Sequence, residues 1–326
     1  MSTPLVNALL PIQVYLDDEK VNEIMVNRPN QIIIEMPNKK EIKKVNYFNL
    51  SELKELAGLI GTFNNQRVNK NEPLLSGTLP GGQRVQIVLP PAVPSGMFGL
   101  SIRKPTNLDL SLDDYENSGA LCNLKSSSIK SLKCTNKRLN KHLLDNNIVS
   151  FLRLCIKTKK NIIVSGGTSS GKTTFMNALI KLIDINERII TIQDVQEMIM
   201  KQNDVLHLLH SKGMQGVSNV TVKNLLEASL RLNPDRILVS EIRGEEAFFY
   251  LRAINSGHPG SLTSLHANDI KGAFIALKMM IKQGTHNLDD VSIDTFLKSV
   301  VDVVVQFEKI DGKRVMTDLY FKDEIK

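Results

Sequence analysis

The feature that most constrains this chain is the eight-residue run GGTSSGKT at positions 166–173. It has the form G-x-x-x-x-G-K-T, in which the glycines let the backbone curl until its N–H groups converge on one point. A short apolar run precedes it at 161–165, and a segment with helical spacing of apolar residues follows at 174–183. Strand, loop and helix in this order predict a loop that binds phosphate groups.

The chemistry of the run assigns separate tasks to its parts. Loop N–H groups and the positive end of the following helix attract phosphates, Lys172 can reach the β- and γ-phosphates, and the Thr173 hydroxyl can hold Mg²⁺. A glycine-rich turn that matches by chance is the alternative, and the correct flanks on both sides disfavour it. We therefore expect ATP to contact Gly166, Gly167, Thr168, Ser169, Ser170, Gly171, Lys172, Thr173 and Thr174.

Polar residues also follow three other short apolar runs, which end at Asp194, Glu241 and His266. The alternation of short strands and helices from residue 161 onward predicts a largely parallel sheet. Ligands of open α/β sheets bind beyond the carboxyl ends of the strands. The sequence thus predicts that these three residues and the phosphate loop share one edge of one sheet.

Glu241 takes the position of an acid that works beside a phosphate loop. A carboxylate there can organise the hydration shell of Mg²⁺ and can orient or deprotonate the attacking water. We predict that Glu241 is catalytic and that Thr173, Asp194 and Glu241 hold Mg²⁺, partly through water. The alternative is a structural ion pair between Glu241 and Arg236 or Arg243.

Asp194, Glu197 and His266 complete the candidates in this half of the chain. The two acids, three residues apart, could hold water ligands of the metal or the nucleophilic water, and Glu197 is predicted to be catalytic. Their alternative role is to stabilise a helix N-terminus by charge. His266 is predicted to sense the γ-phosphate, whereas a histidine after a strand is more often structural.

Residues 1–104 show the pattern of a smaller α+β domain. Strand-like runs at 23–26 and 31–35 predict a hairpin, and 51–64 has helical spacing with Ser51 as the expected N-cap. Two further strands are predicted at 84–89 and 98–103, with Arg84 and Arg103 at strand ends. Residues 105–119 are polar and acidic, as in a linker, and 120–326 form the second domain.

A basic segment leads into the second domain. Residues 119–160 contain ten Lys or Arg and one acid, Asp145, and are expected to be helical. A solvated helical face is one interpretation, and contact of 125–160 with anionic lipid or an acidic partner is the other. Direct binding of nucleic acid is disfavoured, because this segment has no interleaved aromatic residues and the chain has no Trp.

Composition excludes several classes of protein. The 326 residues contain no apolar stretch approaching the ~20 residues of a membrane-spanning helix. The first 16 residues lack the basic start of a secretory signal. Three cysteines without C-x-x-C spacing do not fit a disulfide scaffold or a zinc site, and they favour a reducing cytoplasm.

With these motifs the chain resembles the traffic ATPases of type IV secretion systems, within the type II/type IV secretion ATPase superfamily. The resemblance covers nearly the whole length. It rests on the phosphate loop at 166–173, which is the family's Walker A motif. Residues 188–197 resemble its Asp box, 230–247 its Walker B region and 257–268 its His box. In the first domain, the arginine-bearing stretches 73–91 and 100–105 also match.

The resemblance implies a RecA-like second domain, six copies in a ring, and nucleotide bound between the two domains. Arg84 and Arg103 would then reach the phosphates, and Arg231 and Arg236 are further candidates for neutralising charge. It implies ATP and Mg²⁺ as cofactors, a cytoplasmic location against the inner membrane, and partners among the other ATPases and inner-membrane components of the machine.

Two departures from the family's pattern and three rival functions remain. Gln193 stands where the Asp box usually has Glu, and Ser240 stands where Walker B usually has Gly.

A type II secretion or pilus ATPase is the nearest rival, although assembly ATPases of those systems usually carry a four-cysteine zinc module. A nucleic-acid motor and a ring scaffold that does not hydrolyse ATP are the others.

Overall fold

The structure, a computed structural model, describes residues 3–37, 39–104, 128–210, 220–285, 287–311 and 313–323. Its helices are α1 (Thr3–Asp17), α2 (Leu50–Phe63), α3 (Ser128–Leu144), α4 (Ile148–Lys157), α5 (Lys172–Ile180), α6 (Val222–Ser229), α7 (Glu246–Asn255), α8 (Ile270–Gly284) and α9 (Asp290–Val300). None of the helices within these ranges is long and apolar enough to cross a membrane.

The first part of the chain builds an antiparallel sheet from β1 (Glu23–Val26), β2 (Gln31–Met36), β3 (Lys39–Lys44), β4 (Leu74–Thr78), β5 (Arg84–Val88) and β6 (Gly99–Arg103). The strand order is β3-β2-β1-β6-β5-β4. Alternate residues of these strands face a core that they share with α1 and α2, including Ile24, Ile87 and Ile102. The predicted hairpin of β1 and β2 is confirmed.

The N-terminal cap of α2 differs from our expectation. The helix begins at Leu50 rather than at Ser51, and its N-cap is Asn49. The Asn49 side chain accepts hydrogen bonds from the N–H groups of Ser51 and Glu52, and the Glu52 carboxylate accepts from the Asn49 N–H, 2.8 Å away. These contacts, a reciprocal capping box and the added bond from Ser51, satisfy three otherwise unpaired donors, which a cap at Ser51 would not do.

The second sheet contains β7 (Ile162–Gly166), β8 (Ile189–Gln193), β9 (Val205–Leu209), β10 (Arg236–Val239), β11 (Leu262–Leu265), β12 (Val303–Ile310) and β13 (Lys313–Phe321). Its order is β13-β12-β7-β11-β10-β8-β9. Every neighbouring pair is parallel except β12 and β13, so the predicted parallel sheet is confirmed. Its central strands are buried along their whole length, as strands covered on both faces must be.

The basic segment forms α3 and α4, so helix is confirmed for much of it. Two cations in the described part of the segment form ion pairs with acids of the fold. Lys160 lies 3.8 Å from Asp302, and Lys159 lies 3.2 Å from Glu187. Residues 105–127, which include the predicted linker, lie outside the described residues, and the domain boundaries stay predictions.

A buried polar cluster joins the two sheets. Asp204 accepts hydrogen bonds from Asn27, directly after β1, and from Lys40 of β3, each at 2.9 Å, and forms a short ion pair with Arg188. Arg188 is fully buried and Asp204 is 2% exposed. Burial alone would raise the pKa of Asp204, but Arg188 and then Lys40 outweigh it and lower that pKa.

Candidate active site at the edge of the parallel sheet

The phosphate loop connects β7 to α5 through backbone conformations that require glycine. Gly171 is the N-cap of α5 with φ of 96°, a value that residues with a Cβ rarely adopt. A Cβ at Gly166 would collide with the carbonyl oxygen of Phe307 on the neighbouring strand. Gly171 has no side chain that could cap α5. The N–H groups at the start of this helix are therefore available to bind an anion.

Lys172 is folded back onto this loop. Its Nζ donates hydrogen bonds to the carbonyl oxygens of Gly166 at 2.8 Å and Gly167 at 2.9 Å, and lies 3.3 Å from Nδ1 of His266. The residue is 8% exposed. Burial lowers the pKa of Lys172, while the nearby Glu241 carboxylate raises it by less. An ammonium held in this way among carbonyls is ready to exchange them for phosphate oxygens.

Glu241 occupies the centre of a line of charged groups. One carboxylate oxygen lies 2.6 Å from Nε2 of His266, and the other accepts a short hydrogen bond from Arg243. The same guanidinium lies 4.0 Å from the carboxylate of Asp194. The hydrogen bond with Glu241 is the main cause that raises the pKa of Arg243. The ion pair that we considered as the alternative role for Glu241 therefore exists with Arg243.

Gln193 positions the segment that carries Glu197. The buried Gln193 amide oxygen accepts the N–H groups of Glu197 and Met198, both at 2.9 Å, and its amide nitrogen donates to Thr191 Oγ1 at 2.9 Å. Thr191 Oγ1 lies 2.8 Å from Nδ1 of His207, whose pKa is lowered by burial. A carboxylate at position 193 could not donate to Thr191, so the neutral amide matches this neutral network.

The phosphate loop and residues that follow the neighbouring strands line one cleft of about 450 Å³. The predicted residues that line it are Thr168, Ser169, Ser170, Gly171, Lys172, Thr173, Thr174, Asp194, Glu197, Glu241 and His266. Gly167 lines an adjoining hollow that also contacts His266. Residues that follow four different strands therefore meet at this cleft, as the sequence predicts. Val195, Ser240, Arg243, Ser264 and Arg314 also line the cleft, and our site prediction did not include them.

The predicted arginines lie elsewhere. Arg84 and Arg103 sit opposite each other on β5 and β6, exposed, and are not among the described residues that line the cleft. Arg231 is also exposed, beyond the end of α6. Arg236, considered as a source of transition-state charge, is 1% exposed. It starts β10, at the opposite edge of the sheet from the phosphate loop.

The partners of Arg236 explain why that suggestion is wrong. Its guanidinium donates to both carboxylate oxygens of Glu187, at 2.7 and 2.9 Å, and to the carbonyl oxygens of Gly260 and Ile156. Four of its five N–H donors are used inside the fold. Arg236 is a structural cation of the sheet, and its charge is already paired with Glu187.

A phosphate loop at the carboxyl edge of a parallel sheet, with an acid that follows the next strand but one, defines a RecA-like phosphate-loop ATPase domain. The profile of the Type II/IV secretion system protein family matches residues 7–308. The type IV secretion system protein VirB11 of Bartonella quintana is 37% identical over 325 residues, covering 96% of this chain and 91% of that protein. Protein VirB11 of Rhizobium radiobacter is 35% identical over 324 residues, covering 97% and 92%.

A solved structure agrees with these relatives. The crystal structure of the VirB11 ATPase from the Brucella suis type IV secretion system, in complex with sulphate, matches with a TM-score of 0.91 and 33% identity. The match covers 97% of this chain and 94% of that one. The chain belongs to the Type II/IV secretion system protein family, and within it to the type IV secretion ATPases. The family and fold inferred from the sequence motifs are confirmed.

Proposed function

We propose that this protein hydrolyses ATP to ADP and phosphate with Mg²⁺. The observation that carries the proposal is the convergence of Lys172, Glu241, Asp194 and His266 on one cleft beside the phosphate loop. The donors suit a triphosphate, since the loop offers N–H groups and a buried ammonium. The acids and the Thr173 hydroxyl at the same cleft offer the oxygen ligands that Mg²⁺ prefers.

Each residue has a task that its surroundings support. Lys172 and the loop N–H groups bind the β- and γ-phosphates, and Thr173, Asp194 and Glu241 would hold Mg²⁺, which would neutralise phosphate charge. Glu241 accepts a proton from the attacking water, and Glu197 helps to place that water. His266 lies against both Lys172 and Glu241, so it responds when either changes its partner.

Phosphate release by the purified protein tests the proposal. We expect turnover that requires Mg²⁺ and that falls at least about 100-fold in Lys172→Ala, because a positioned donor to the transition-state charge is lost. Lys181→Ala is the matched control, since Lys181 is exposed at the end of the same helix. Equal turnover in Lys172→Ala, or none in the wild type, would contradict the proposal, and the latter would favour a scaffold without hydrolysis.

We further propose that six copies form a ring that powers transport or assembly in a type IV secretion system, together with its other ATPases and inner-membrane components. The relatives named as type IV secretion proteins support the system. Arg84 and Arg103 are cations in exposed positions away from their own cleft. In the ring, closure of the first domain onto a nucleotide would bring these arginines to the phosphates.

The basic segment supports a peripheral contact with the inner membrane from the cytoplasm. Lys137, Arg138, Lys141, Arg153 and Lys157 are exposed on α3 and α4. Such a face attracts anionic headgroups by about 1 kcal/mol per cation near the surface. We expect the protein to float with vesicles containing anionic lipid at low salt and to be released at high salt. Equal recovery with uncharged vesicles would contradict this contact.

A further inference from the structure

The hairpin of β12 and β13 extends beyond the edge of the sheet beside the phosphate loop. β12 pairs in parallel with β7 as far as Phe307 opposite Gly166, where the loop begins. The hairpin continues past this point, with Lys309 opposite Arg314 and Ile310 opposite Lys313. Arg314 is thus carried to the level of the loop by a strand that is anchored in the sheet.

Arg314 contacts the outside of the loop directly. Its Nε donates a hydrogen bond to the carbonyl oxygen of Ser169 at 3.3 Å. Its Cδ lies 2.6 Å from where a Cβ of residue 171 would be, so the glycine there also makes room for this side chain. Arg314 lines the same cleft as Lys172 and Thr174.

Among the residues that the structure describes, Arg314 has no acid as an ion-pair partner. Within the described ranges, no carboxylate forms an ion pair with it, and its two terminal nitrogens make no hydrogen bond. Arg243, the other arginine at the cleft, is bound to Glu241 and close to Asp194. Arg314 therefore has N–H donors available for an anionic ligand, whereas Arg243 already donates to Glu241.

The strand order shows which end of a nucleotide Arg314 faces. The phosphate loop follows β7, and β11 and β10, which lead to His266 and Glu241, lie on one side of it. β12 and β13 lie on the other side. The γ-phosphate must face Glu241 for hydrolysis, so the α-phosphate and the ribose extend toward the hairpin.

We propose that Arg314 is a nucleotide-binding residue that contacts the α-phosphate and ribose end of the nucleotide. The inference rests on the proposed function, since it places ATP in the cleft in the orientation that hydrolysis needs. Because ATP and ADP share this end, Arg314 contributes to the affinity for both. The γ-phosphate chemistry belongs to residues on the opposite side of the loop.

Calorimetric titration with ADP and with a non-hydrolysable ATP analogue tests this role. In Arg314→Ala the Kd for both ligands should rise by about tenfold, the effect of one charge-assisted hydrogen bond. In steady-state assays the KM for ATP should rise by a similar factor, and kcat should fall by much less. Arg314→Lys, which keeps the charge, should lose less affinity. Lys313→Ala removes a charge from the adjacent residue, whose side chain points to the other face of β13, and should bind as the wild type does.

The results of these titrations distinguish the role of Arg314 from the proposed ATPase function. Unchanged Kd values in a folded Arg314→Ala protein would overturn the inference and leave the ATPase proposal intact. A loss confined to the ATP analogue would place Arg314 at the γ-phosphate and would also contradict it. Failure of the wild type to bind either ligand would overturn the ATPase proposal itself. Thermal unfolding without nucleotide checks the fold of Arg314→Ala, and Arg314→Gln substitutes for it if it does not fold.

Discussion

Glu241→Gln is expected to bind ATP about as tightly as the wild type does and to hydrolyse it at least about 100-fold more slowly, since a positioned general base contributes a factor of this order. The amide keeps the shape and the hydrogen bond from Arg243 but cannot accept a proton from water. Single-turnover phosphate release and equilibrium binding of ATP, measured on the same preparation, check the two halves of this expectation.

The ion pair of Glu241 with Arg243 makes this test informative. If the carboxylate only held Arg243 in place, the substitution would lower the melting temperature and leave turnover largely unchanged. Glu227→Gln is the matched control, because Glu227 is exposed on α6 and lies outside the cleft. Appreciable ATPase activity in folded Glu241→Gln protein would refute the role that we give to Glu241.

Asp204→Ala is expected to lower the free energy of unfolding by about 3–5 kcal/mol, the usual cost of removing one partner from a buried ion pair. The loss leaves Arg188 buried and without its carboxylate, and it also removes the acceptor of Asn27 and Lys40. Denaturant unfolding followed by circular dichroism measures it. The loss of stability should act mainly on the packing between the two sheets, which this cluster joins.

The control and the pH dependence sharpen this prediction. Glu55→Ala, on the exposed face of α2, should change stability by no more than about 0.5 kcal/mol. The folded pKa of Asp204 is below its ordinary value. Its contribution is therefore complete above about pH 4 and is lost as the pH falls further, so Asp204→Ala should lack part of the acid destabilisation of the wild type. A loss under about 1 kcal/mol at neutral pH would contradict the structural role of the cluster.

The strand ends could be predicted because their signals are local. Each run of β-branched and apolar residues is long enough to be one buried strand, and the polar residue that follows marks its carboxyl end. Asp194, Glu241 and His266 were placed at one edge on this basis alone, and the structure puts all three at the cleft. The roles of these residues in catalysis stay predictions.

Other features depend on contacts that the local pattern does not contain. The N-cap of α2 is an exception, because its signal is local: Asn49 and Ser51 both favour caps, and Glu52, three residues after Asn49, decides between them. Arg236 was misjudged because its acceptors, Glu187 and Gly260, are distant in sequence. Arginines with such satisfied, buried surroundings cannot be told from catalytic ones by spacing.

Arg314 was missed although the sequence held a signal. Asp311-Gly312 is a dipeptide that favours a two-residue hairpin turn, and the pairing of Ile310 with Lys313 matches it. A hairpin at the edge of a parallel sheet beside a phosphate loop can bring its residues to the cleft, which Arg314 lines. Arg84 and Arg103 pose the opposite problem, because the contact that we propose for them would require an assembly of several copies.

The most direct test of the central claim, that this cleft hydrolyses ATP within a ring, is an electron cryo-microscopy structure of the assembled protein with Mg²⁺ and a non-hydrolysable ATP analogue. We expect six copies, with Lys172 at the β- and γ-phosphates, Glu241 facing the γ-phosphate, and Arg84 or Arg103 of a first domain closing the site. Nucleotide bound away from the phosphate loop, or a γ-phosphate that points away from Glu241, would contradict the account.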